Sequence, residues 1–142
     1  MSALGLKIID ESVQAANIWI NEVNERVGWE NKQRAYRLLR AVLQVLRDEL
    51  SHDEAAHLSA QMPIFIRGVF FEGWHPAKTP IKERSRHGFI ARVQAYFEND
   101  PMEDADYAIG AVLDTLDNHV SRGEMSDVRG ALTRDIRKLF AD

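Results

Sequence analysis

The sequence predicts an all-α protein: two tandem, pseudo-symmetric helical repeats of about 70 residues, packed as one domain. Three observations predict it. First, residues 35–70 align with 105–140 without a gap and are identical at 10 of 36 positions, against about two or three expected by chance at ordinary residue frequencies. Second, the matched apolar residues recur at helical spacing: Leu39, Val42, Leu43, Leu46 and Leu50 in the first copy, and Ile109, Val112, Leu113, Leu116 and Val120 in the second. Third, helix-start signals fall in register. Ser51-His-Asp-Glu54 and Ser121-Arg-Gly-Glu124 both fit a capping box, in which serine and glutamate satisfy each other's backbone N–H groups.

The first copy, 8–72, divides into helices near 10–27, 31–50, 52–60 and 63–72. In the second helix Leu38, Ala41 and Val45 widen the apolar stripe, so burial on more than one side is expected. Pro63 is placed at a helix start, where its missing N–H needs no partner. A connector at 73–79, rich in glycine and proline, ends this copy. The second copy, 80–142, divides into helices near 80–97, 101–119, 122–131 and 133–141, with Pro80 and Pro101 at two of the starts and Thr133 at the place of Pro63. The expected core is Leu39, Val42, Leu43, Leu46, Leu58, Met62, Ile66 and Phe70, together with Ile109, Val112, Leu113, Leu116, Val128, Leu132, Ile136 and Phe140.

Hydrophobic residues make up 45% of the 142 residues and charged residues 28%, which fits a globular chain with a real core. A net charge of -4 disfavours a dedicated nucleic-acid binder. Cysteine is absent, which removes disulfides, thiolate catalysis and cysteine-based zinc sites, and suits a cytoplasmic setting. The first ten residues make a poor signal peptide, and no apolar run is long enough to span a bilayer, so no membrane association is expected.

The run from Arg34 to Leu50, followed by Glu54-Ala-Ala-His-Leu, Ala60-Gln-Met-Pro63, Ile66-Arg-Gly68 and Glu72-Gly-Trp74, closely resembles an uncharacterised bacterial family, domain of unknown function 2267. Val120-Ser-Arg-Gly-Glu-Met-Ser-Asp-Val-Arg129 resembles its second half, although Thr133 stands where that half usually has proline. The resemblance covers most of the chain and implies a small helical prokaryotic protein. It implies no activity.

Candidate chemistry is sparse. Glu49/His52, Glu54/His57 and Glu72/His75 share the Glu-x-x-His spacing that carboxylate-bridged metal bundles use. Glu54 and His57 are the metal candidates, although Glu54 also fits the capping box and the second copy has no matching histidine. No metal, cofactor or catalytic residue is assigned. No phosphate loop, nucleophile elbow or zinc-protease motif occurs, so an enzyme is disfavoured.

Arg67 and Arg137 recur in both copies, and a structural arginine is the commoner reading of such a pair. Lys78, Lys82, Arg84, Arg86 and Arg92 form a basic stretch that could contact an anion or nucleic acid through 78–92. The helix from Pro63 is apolar nearly all round, whereas Arg134 and Asp135 replace Ile64 and Phe65 in the second copy. It is expected either at the centre of the molecule or as an apolar patch. Phe65, Arg67, Phe71, Trp74 and His75 are therefore interaction candidates. The expected function is a non-enzymatic interaction or scaffold protein, with self-association or an unknown protein partner. Metal or small-ligand binding is the alternative.

Overall fold

The computed structural model describes residues 5–140, and these are helical with no strand among them. The helices are α1 (Lys7–Val27), α2 (Lys32–Glu49), α3 (His52–Ser59), α4 (Ile64–Phe71), α5 (Arg86–Gln94), α6 (Ala105–His119), α7 (Arg122–Ala131) and α8 (Arg134–Arg137). Single 3-10 turns lie at Pro76–Lys78 and Ala95–Phe97. No helix is long and apolar enough to cross a membrane among the described residues.

The spine of the molecule is α2, which packs against α1, α4, α5 and α6. Its sequence explains why. Leu38, Leu39, Ala41, Val42, Leu43, Val45 and Leu46 cover most of its circumference, and all are buried. A helix greasy on that many sides must be enclosed by neighbours. Across the molecule α6 buries Ile109, Val112, Leu113 and Leu116, while α3 packs on α7. All sixteen expected core residues are buried, and they join one continuous apolar cluster.

Two helix starts differ from the sequence expectation. The helix expected from Pro80 begins at Arg86, with Ser85 as its cap accepting from the Gly88 N–H. Residues ahead of it are held as a strap instead: Ile81 N–H donates to the Asp48 carbonyl, and Arg84 donates to the Glu49 and Ala131 carbonyls. The helix expected from Pro101 begins at Ala105, where the Asp104 side chain accepts from the Tyr107 N–H. Arg34 and Gln94 occupy the backbone groups of Asp100, Pro101 and Met102 that a longer helix would use. The last helix was expected to reach 141, and its α-helical part ends at Arg137; residue 141 lies outside the described residues.

The two serine caps also differ. Ser51 and Glu54 form a complete capping box. Ser121 accepts from the Glu124 N–H, but its own N–H donates to Gln61 Oε1 at 2.7 Å, not to Glu124. Gln61 Nε2 also donates to the Ser121 hydroxyl. A side chain from the other half of the molecule thus takes over half of the expected box and frees the Glu124 carboxylate.

Candidate functional site

The basic stretch is largely consumed inside the molecule. Glu49 ends α2 with a fully buried carboxylate that accepts from Arg84 Nε at 3.1 Å and Arg92 Nη2 at 2.5 Å. Arg84 Nη2 also donates to the Glu49 and Ala131 carbonyls. Burial pushes the Glu49 carboxyl up, while the two guanidiniums favour its charged form. Arg86 pairs with Asp106. Lys78 and Lys82 stand exposed, and no ion pair involves them among the described residues.

The Glu-x-x-His pairs are dispersed. Glu49 is held by the two arginines. Glu72 pairs with Arg40 at 3.0 Å, and its partner by spacing, His75, is exposed. His52 Nε2 lies 2.6 Å from the Pro76 carbonyl, and its ring meets Trp74 edge-on. Glu54 and His57 line a small cleft of about 290 Å³ between α3 and α7, with Glu124 and Asp127 opposite. Burial raises the freed Glu124 carboxyl, with Asp127 and Glu54 adding to the rise and His57 opposing it. No group of three or more histidine, aspartate or glutamate side chains is placed to hold a metal ion among the described residues.

Of the interaction candidates, Arg67 donates to the Ser59 and Met62 carbonyls and so closes the end of α3. Trp74 and Phe71 pack together at 5.1 Å, and Trp74 Nε1 donates to Thr79. The helix α4 is divided: Ile66, Val69 and Phe70 are buried, while Ile64 and Phe65 face out.

Sequence reasoning missed two features. Residues Ile9, Val13, Ala16, Ile20, Val23 and Val27 form one stripe along α1, but burial begins only at Ala16. Ile8, Ile9, Val13 and Ile18 stay exposed. The spacing was visible in the sequence; the absence of cover was not. The second is a groove of about 630 Å³ along α6, lined by Arg26, Asp104, Asp106, Tyr107, Gly110, Ala111, Asp114, Lys138, Leu139 and Phe140. Asp114 is half-buried there, and burial raises its carboxyl, with Arg26 and Arg129 opposing.

The family profile described as "uncharacterized conserved protein (DUF2267)" matches residues 16–139. The chain belongs to the DUF2267 family. The match takes in α2 through α8, and with them the Glu49 clamp, the α3–α7 cleft and all of the α6 groove but Phe140. It begins at Ala16, so the exposed first turns of α1 in this DUF2267 protein precede it. No curated protein matches the chain.

Proposed function

We propose that this DUF2267 protein is a non-enzymatic interaction protein that self-associates through the first half of α1. One observation carries the reading: Ile9 is 37% exposed and Val13 54% on the same face of α1, and Leu6 at its N-cap, 55% exposed, continues that face by its i, i+3, i+7 spacing. A run of large apolar side chains in water is unfavourable, and such surfaces mark contacts with other macromolecules. A second copy is the proposed occupant, because pairing about a two-fold axis is the commonest way a single chain covers its own patch. The apolar pair Ile64/Phe65 on α4 offers a second, smaller contact. A cytoplasmic setting belongs to the same proposal.

The scaffold behind this surface is a duplicated bundle in the proposed reading. Supporting it, α3 begins at His52 and α7 at Arg122, α4 at Ile64 and α8 at Arg134, each at the same offset as the sequence match. Leu43 and Leu113 are both at most 1% exposed.

Light scattering across a concentration series tests the function. A mass above the 16.2 kDa of one chain, rising with concentration, is expected. A strict monomer throughout counts against the proposal.

A further inference from the structure

We infer that the groove along α6 binds a small amphipathic organic cation, an ammonium or guanidinium group on an apolar body, with Asp114 as its anchor. The groove volume of about 630 Å³ falls within the range of about 300–1,000 Å³ typical of small-molecule sites. Ala111, Leu139 and Phe140 give it apolar walls, and the exposed Tyr107 ring stands beside them. Three carboxylates line it against Arg26 and Lys138. Two of these carboxylates are engaged: Asp104 caps α6 and Asp106 holds Arg86. Arg26 is engaged too, by Glu22 at 2.9 Å. Asp114 is different. Among the described residues its carboxylate makes no hydrogen bond or ion pair although it is half-buried, and only the charges of Arg26 and Arg129 at longer range favour its ionised form. A carboxylate partly withdrawn from water without a partner is costly, and a cation that replaces the lost water relieves that cost.

Comparison with α2 sharpens the point; this step alone rests on the duplication proposed above. The face of α2 that matches the groove carries Arg34, Arg37, Arg40 and Gln44 where α6 carries Asp104, Tyr107, Gly110 and Asp114. The α2 face is closed by the chain itself. Arg34 lies over Trp29 at 4.0 Å and binds Asp100, Arg40 binds Glu72, and Gln44 is bonded to Tyr96 and the Val69 carbonyl. On α6 the basic and amide groups are gone and the matching space is open. A basic, partly apolar ligand complements that face as Asp100 and Glu72 complement Arg34 and Arg40 and as Tyr96 complements Gln44.

The test is a titration of the full chain at pH 7 with phenethylamine, and with 2-phenylethanol as the neutral control, followed by amide NMR shifts. Phenethylamine is expected to shift the Tyr107, Gly110 and Ala111 amides and to bind at least tenfold more tightly than the alcohol. Asp114→Asn is expected to weaken the amine at least tenfold and leave the alcohol unchanged. Tyr107→Ala, at an exposed ring, is a second variant that should weaken the amine several-fold and does not depend on the first variant folding. Equal affinity for amine and alcohol, amine binding unaffected by either variant, or shifts that avoid α6 would each overturn the inference. Loss of self-association would not affect this result, so the two proposals fail separately.

Discussion

The Arg84 guanidinium donates to both the side-chain and the main-chain oxygen of Glu49. This contact ties the last residue of α2 to the strap before α5, and through the Ala131 carbonyl to the end of α7. Removing one partner of a buried ion pair leaves the other charge uncompensated, at a cost of about 3–5 kcal/mol. Arg84→Ala is expected to cost less than that, because Arg92 still pairs with the Glu49 carboxylate and Arg84 is partly exposed. Glu49→Gln, which removes the buried charge as well, should cost less. Urea denaturation of the two variants checks the order.

Leu43 and Leu113 sit fully buried in α2 and α6. Each changed to alanine should cost about 2–5 kcal/mol. Both variants should still unfold in a single transition, because the core is one cluster. Two separated transitions in either variant would contradict a shared core.

Gln61 holds the start of α7 through both its amide oxygen and its amide nitrogen. Gln61→Ala is expected to cost about 1 kcal/mol, comparable to the loss of a helix cap. The accompanying rise in amide exchange should fall on the first turn of α7, leaving that of α3 unchanged. Hydrogen exchange resolves the two.

Acid stability should depend on Glu22. Burial acts to raise its carboxyl, but bonds from Arg26, His119 and Asn118 outweigh this and hold it below the usual carboxylate value. The folded value lies below the unfolded one, so this stabilisation is present above the unfolded pKa of about 4.3 and is lost as pH falls through the folded value. Glu22→Gln should flatten the decline in stability below that pH. An unchanged acid limb in the variant would show that the group contributes nothing.

Much of the fold could be read in advance. The α2 and α6 stripes are legible because burial on one face leaves an apolar residue every three or four positions. Ser51/Glu54 is legible because a capping box is local. What failed was decided at long range. Pro80 looks like a helix start, but the Asp48 carbonyl and Glu49 claim the residues after it. Ser121 looks like a full box until Gln61 intervenes. The basic stretch reads as a solvated helix start, or at most an anion contact, because nothing near it in sequence reveals that Glu49 binds Arg84 and Arg92. The α1 stripe entered no sequence expectation, and only the packing shows that Ile9 and Val13 lie beyond the cover that begins at Ala16.

Sedimentation equilibrium of the unaltered chain beside Val13→Glu probes the α1 surface most directly. The unaltered chain should sediment as an oligomer at tens of micromolar and the variant, equally folded by circular dichroism, at the 16.2 kDa of a single chain. Identical behaviour of the two, whether both single chains or both oligomers, would contradict association through α1.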